Sequence, residues 1–264
     1  MENKLKIALV QTDTLWEKRD NNLKNLSQKI DSVNNDVDLI VLPELFSTGF
    51  TMNAKPVAET MQGISVLWML DQAKKKDCLL IGSLIIIENE KIFNRLVVVF
   101  PPDNHKEGEI KYYDKRHLFT YAGEEKVFSV GNKRMIFEYK GFKICPLVCY
   151  DLRFPVWARN SEDFDVLIYV ANWPNARMFA WDTLLKARAI ENLCYVVGVN
   201  RVGADNNNLV YTGHSAVIDT FGKIILDFKE KQEAIKTAVL EKKHITKTRN
   251  RFRFLEDRDV FEIK

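Results

Sequence analysis

The sequence predicts a layered α/β fold with two sheets covered by helices, and three observations carry that prediction. Short apolar runs alternate with segments of helical period in the first ninety residues and again after residue 165. Between them lies a series of strand-like runs with little helix. No internal repeat, low-complexity tract or composition break marks a linker. A chain of 264 residues with 46% hydrophobic content can bury one large core, so one domain spanning residues 1–264 is expected.

Leu5 to Gln11 is a first apolar run, followed by Leu23, Leu26, Ile30 and Val33 at the spacing of one helical face. Val37 to Leu42 is a β-branched run closed by Pro43; Ile64 to Lys75 reads as a helix and Cys78 to Ile87 as a strand. From Lys91 the pattern changes. Lys91 to Phe100, Glu109 to Lys115, Arg134 to Tyr139 and Phe142 to Val148 are strand-like, and adjacent antiparallel strands are expected there. Asp165 to Val170, the helical stretch Met178 to Asn192 and Cys194 to Asn200 restore the alternation. His214 to Asp219 and Lys223 to Phe228 then flank a Phe221-Gly222 turn. The tail after residue 241, basic from Lys242 to Arg253, reads as a solvated or partner-contacting segment.

Composition excludes several classes. Net charge is only +3, with 39 Lys and Arg interspersed among 36 Asp and Glu, so no nucleic-acid footprint is present. No basic stretch and long apolar segment opens the chain, and no run of 18 apolar residues occurs. A cytoplasmic protein without a membrane partner is expected. The four cysteines, Cys78, Cys145, Cys149 and Cys194, fit reduced thiols better than a disulfide framework.

Three of the strand-like runs end in chemistry. Leu39 to Leu42 leads into Pro43-Glu44, Tyr112-Tyr113 into Asp114-Lys115-Arg116-His117, and Phe142 to Val148 into Cys149-Tyr150-Asp151. Loops at the carboxyl ends of α/β strands are where such folds place chemistry. A strand-end glutamate alone is more often a surface or capping residue. A cysteine nucleophile, however, needs a base to take its proton or a cation to favour thiolate, and Glu44 and Lys115 supply one of each. Acyl transfer also needs donors aimed at the developing oxyanion, for which Lys115 and the N–H of Tyr150 are the candidates.

The blocks Leu42-Pro43-Glu44, Asp114-Lys115-Arg116-His117-Leu118 and Cys149-Tyr150-Asp151-Leu152-Arg153-Phe154-Pro155, in that order, resemble the Glu-Lys-Cys signatures of the nitrilase, or carbon–nitrogen hydrolase, superfamily. The resemblance extends to Asn172-Trp173-Pro174 and Gly213-His214-Ser215 and runs from Lys6 to about Leu240. It implies a four-layer α-β-β-α sandwich, commonly a homodimer joined through its helical face, with no metal and no organic cofactor. It also implies a second glutamate near the site. Glu124 and Glu125 both follow the Lys115 loop; Glu124 is favoured, and plain solvation is the bland reading. Phe46-Ser47-Thr48-Gly49-Phe50 and Ala171-Asn172-Trp173-Pro174 are most similar to the omega-amidase branch, which implies a small-molecule substrate of the 2-oxoglutaramate or succinamate type. A carboxylate reader would come from Arg116, His117, Arg153, Asn172 or Arg177. For Arg153 a structural ion pair is an equal reading, and Trp173 is either pocket wall or core.

Other readings are weaker. Cys145 and Cys149 share a strand face but lack the further ligands a zinc site needs, so Cys145 reads as core, as do Cys78 and Cys194. Gly213-His214-Ser215 lacks the second glycine of a nucleophile elbow. His117 or His214 as the base for Cys149 explains less than Glu44, and His117 instead supports the Lys115 loop. N-carbamoyl amines, aliphatic amides and nitriles are alternative substrates for the same three residues. A catalytically silent binding protein would be expected to lose one of them, and a glutaminase module would need a synthetase domain for which the chain has no room.

Overall fold

The computed structural model describes residues 3–102 and 108–263. The first half runs β1 (Lys4–Gln11), α1 (Arg19–Asp31), β2 (Leu39–Val41), α2 (Ile64–Lys76), β3 (Leu79–Glu88), β4 (Lys91–Val99) and β5 (Ile110–Asp114). It continues through β6 (Phe137–Tyr139), β7 (Phe142–Val148), β8 (Val166–Ala171), α3 (Met178–Asn192) and β9 (Tyr195–Asn200). The hairpin β10 (Val202–Ala204) and β11 (Val210–Thr212), then β12 (Ala216–Ile218), β13 (Ile224–Asp227), β14 (Ala234–Glu241) and α4 (Lys242–Arg251) complete it.

One sheet has the order β14-β1-β2-β3-β4-β5 and the other β13-β12-β9-β8-β7-β6. In the first, β1, β2 and β3 are parallel; in the second, β7, β8 and β9 are, and the outer strands of both pair antiparallel. Strand parity builds the layers. Leu5, Ile7 and Leu9 of β1 enter a core shared with Ile144, Leu147 and Ile168 of the second sheet. Ala8 and Val10, on the opposite face, pack with Leu23, Leu26 and Ile30 of α1 and with Met69 of α2. On the far side Trp181, Leu185 and Ala189 of α3 cover the second sheet. The layer order is therefore α-β-β-α. Among the described residues, no helix is long and apolar enough to cross a membrane.

The structure departs from the sequence reading in three places. The strands between Lys91 and Val148 are adjacent and antiparallel in two pairs, β4 with β5 and β6 with β7, and not as one run, because the chain crosses from the first sheet to the second between Asp114 and Phe137. The β10–β11 hairpin and the edge strand β14 have no counterpart in the sequence reading. The basic tail is corrected as well. Its first half is the helix α4, docked on the chain itself: Arg249 donates to the carbonyls of Leu193 (3.1 Å) and Phe164 (2.6 Å), Lys242 pairs with Asp165, and Ile245 is buried. Long basic side chains lay their stems on the body and satisfy strand-end carbonyls. Beyond Arg251 the segment is largely exposed, and Lys264 lies outside the described residues.

Candidate active site

Each of the three strand ends is held by local bonds. The turn after β2 is tied to β3 where the Leu45 N–H donates to the Ser83 hydroxyl (2.8 Å), and Leu45 adopts a positive φ of 46° directly after Glu44. Lys115 leaves β5 with its N–H on the Asn94 carbonyl (3.0 Å), while the Gly131 N–H donates to the Lys115 carbonyl (2.9 Å). A Cβ at Gly131 would lie 1.9 Å from the Asp114 carbonyl oxygen, so only glycine allows that approach. Cys149 ends β7 at φ 41°, a strained conformation for a non-glycine residue, and opens a short 3-10 turn over residues 149–153. The Tyr150 N–H is the second of that turn, where no carbonyl within the turn is available to it.

These ends converge. Lys115 Nζ lies 3.1 Å from Glu44 Oε1 and 2.9 Å from each carboxylate oxygen of Glu124. None of the three side chains is more than 1% exposed. Glu124, not the exposed Glu125, is the glutamate at the lysine, and its Oε2 also accepts the Phe119 N–H (2.6 Å). The second Glu44 oxygen accepts the Asn172 N–H (2.7 Å). Cys149 Sγ sits 3.9 Å from the Asn172 carbonyl oxygen.

The charges fit a neutral thiol beside a fixed ammonium. Burial opposes the Lys115 charge, but Glu124 and Glu44 outweigh it and hold the ammonium above its ordinary range. Burial raises the Glu124 carboxyl, with Lys115 opposing and Glu44 adding to the rise. Burial and then the Glu44 carboxylate push the Cys149 thiol well above its usual value, against the pull of Lys115. Burial is the largest cause that pushes Cys145 and Cys78 up to about 12, in keeping with core positions. The sequence left open whether a cation stabilises thiolate or a base removes the proton; this environment favours the base. Neither Cys149 nor Lys115 should therefore titrate near neutrality. kcat/KM on the best amide is expected to stay level between about pH 7 and about pH 9, and a fall centred near the ordinary thiol value of about 8.5 would refute the neutral-thiol arrangement.

One residue of this network has no counterpart in the sequence analysis, and a second takes a different role from the one expected there. Asn94 of β4 donates to Glu44 Oε1 (2.8 Å) and more weakly to Glu124 Oε1 (3.4 Å). The available signal was a polar residue inside an otherwise apolar strand. Asn172 was counted as a carboxylate reader, but its side-chain N–H₂ donates to the Glu44 carbonyl (2.7 Å) and is committed. Two further corrections concern that set. His117 Nδ1 bonds Asp151 (2.8 Å), and the Arg116 guanidinium lies over the Trp157 ring (5.2 Å). His214 faces Asp182 and Glu230 rather than Cys149.

Lys115, Cys149, Tyr150 and Trp173 line a cavity of about 710 Å³, and Arg153 and Arg177 stand in its wall. Arg153 lies over the Trp173 ring (4.9 Å) and Arg177 over Phe119 (5.0 Å). Among the described residues, no carboxylate lies within ion-pairing distance of either guanidinium, so the structural ion pair weighed for Arg153 is absent. Trp173, only 3% exposed, serves both the core and the cavity wall.

The α-β-β-α sandwich sets a buried carboxylate and ammonium beside a half-buried thiol, and the chain belongs to the carbon–nitrogen hydrolases, whose family model matches residues 6–250. It is 41% identical over 257 residues to omega-amidase YafV of Yersinia enterocolitica, covering 97% of this chain and 98% of the relative. It is 34% identical over 226 residues to 2-oxoglutaramate amidase of Bacillus subtilis (strain 168), covering 84% and 85%. Among solved structures, a CN-hydrolase superfamily protein from Xanthomonas campestris with an arsenic adduct in its active site matches with a TM-score of 0.94 and 41% identity over 99% of both chains. The protein is thus an enzyme of amide hydrolysis.

Proposed function

We propose that the protein hydrolyses the terminal amide of a small dicarboxylate monoamide, of 2-oxoglutaramate or succinamate type, to the acid and ammonia through a thioester on Cys149. The observation that carries the substrate class is the pair of guanidiniums, Arg153 and Arg177, that face the cavity beside Cys149 without a carboxylate of their own. Both guanidiniums are half-buried at the cavity, where solvent screens them only in part, and a substrate carboxylate can pair with them in bidentate fashion. The relatives named omega-amidase and 2-oxoglutaramate amidase support the same reading.

In the first half-reaction Cys149 Sγ attacks the amide carbon while Glu44 takes the thiol proton. The oxyanion is met by the Tyr150 N–H and Lys115. An ammonium has three N–H groups; with one shared between the two Glu124 oxygens and one on Glu44, the third is left for the oxyanion. Glu44 returns its proton to the leaving nitrogen, ammonia departs, and the thioester remains. Glu44 then takes a proton from water as it attacks the thioester carbon, and returns it to sulfur as the acid leaves. Asn172 and Asn94 hold the Glu44 carboxylate in place for both steps.

The test compares kcat/KM for 2-oxoglutaramate or succinamate with that for butyramide. A preference of tenfold or better for the charged amides, about 1.4 kcal/mol of transition-state binding, is expected. Arg153→Met and Arg177→Met should each erode that preference by raising KM for the charged substrate only. Equal rates in the parent enzyme, or a preference for an N-carbamoyl amine, would sink the substrate assignment and leave the cysteine mechanism intact.

A further inference from the structure

Lys115 and Cys149 stand on different sheets, β5 at the edge of one and β7 within the other, so no strand ladder fixes their separation. Among the described residues, no hydrogen bond joins their side chains either: Lys115 Nζ bonds Glu44 and Glu124, and Sγ faces Asn172. Apolar packing between sheets is non-directional and sets such a distance only loosely. Glu44 reaches Lys115 and Asn172, and a second fully buried carboxylate ties the backbone at Cys149 to the segment that carries Lys115. Asp151, two residues after Cys149, accepts the Val148 N–H (3.0 Å) and the Tyr113 hydroxyl (2.8 Å) on Oδ2. On Oδ1 it accepts the His117 N–H (3.1 Å) and meets His117 Nδ1 (2.8 Å), which carries the proton in this pairing. Every donor flanks a reacting residue, since Val148 precedes Cys149 and Tyr113 and His117 stand two positions either side of Lys115. Tyr113 is held in turn by the Trp157 indole N–H (3.0 Å), and the His117 ring stacks on Phe154 at 3.6 Å.

We propose that Asp151 and His117 are a positioning pair that sets the Lys115 ammonium against the Cys149 sulfur across the two sheets. The inference rests on the roles given to Lys115 and Cys149 above. All four lone-pair directions of the carboxylate are occupied, which is how a buried acid can act as a rigid joint. Misplacing a reacting group by about 1 Å costs about 10²-fold in rate, whereas substrate binding through the cavity wall is untouched. The joint therefore acts on kcat and not on KM.

The decisive comparison is between His117→Asn and His117→Phe, measured as kcat and KM on succinamate together with the melting temperature. Asn places a side-chain N–H where Nδ1 stands and loses the ring; Phe keeps a ring on Phe154 and loses the donor. The expected result is kcat within about tenfold of the parent for Asn, a loss of about 10²-fold for Phe, and KM little changed in both. Asp151→Asn should match the Phe variant, and if it does not fold, the two His117 variants still decide. If Phe retains kcat and Asn loses it, the ring contact matters and the joint does not. If kcat per folded enzyme is unchanged in every variant and only stability falls, the pair is merely structural. Failure of the underlying mechanism would read differently, as activity surviving Cys149→Ala.

Discussion

Cys149→Ala is expected to lose turnover by a factor on the order of 10⁵ to 10⁶, the scale on which removing an acyl-enzyme nucleophile acts, with the melting temperature nearly unchanged. The fold should not notice, because Cys149 is half-buried at the cavity and its strained φ of 41° lies in a turn held by Asp151, not by sulfur. Cys149→Ser should be almost as inactive. A hydroxyl is a poorer nucleophile than a thiol, and the carboxylate base at Glu44 is matched to a softer, more acidic group. The control is Cys145→Ala. Cys145 is fully buried in the core between the sheets, so its loss should reduce stability by about 1 kcal/mol and leave kcat alone. Loss of activity in Cys145→Ala without loss of stability would reverse the two assignments.

The three residues proposed as the triad stand out in the sequence because Glu44 and Cys149 follow strands that are almost wholly buried, where an abrupt carboxylate or cysteine is conspicuous, and Lys115 ends the more exposed β5 in a run of charge. The network that holds them does not. Asn94 meets Glu44 from fifty positions away and sits inside a strand whose local pattern only says that it is buried. Arg116, His117 and Asn172 were grouped with Arg153 and Arg177 as readers of a substrate carboxylate because adjacency to a catalytic residue is visible in a sequence, while the side to which a side chain turns is not. His117 turns to Asp151 and Asn172 to Glu44, and only the two guanidiniums remain in the cavity wall. The same limit explains β14 and α4. An edge strand paired with residues more than two hundred positions earlier, and a basic helix with one buried aliphatic residue, acquire their meaning from the body they dock on.

Lys115→Met is expected to lose both activity and stability, and the two losses should separate. One missing oxyanion donor costs about 10²–10³ in kcat. The stability loss has another origin: Glu44 and Glu124, both fully buried, would be left facing each other without their cation. Removing one partner of a buried ion pair costs about 3–5 kcal/mol, a fall in melting temperature on the order of 10 °C for a chain of this size. The sign of its pH dependence follows. The Glu124 carboxyl already stands above its ordinary value, and without Lys115 to oppose burial it rises further. A carboxyl with a raised folded-state pKa binds its proton more tightly in the folded chain, so the variant is most stable at low pH. It loses that stability as pH climbs from the unfolded carboxyl value of about 4.3 toward the raised folded one. Adding Glu124→Gln removes the stranded charge, keeps an oxygen for the Phe119 N–H, and should recover most of the melting temperature without recovering turnover. Thermal unfolding at about pH 5.5 and about pH 8, beside kcat for the single and double variants, gives the test. A double variant that regains activity, or a single variant with the parent's kcat, would remove Lys115 from the chemistry and leave it a counter-ion.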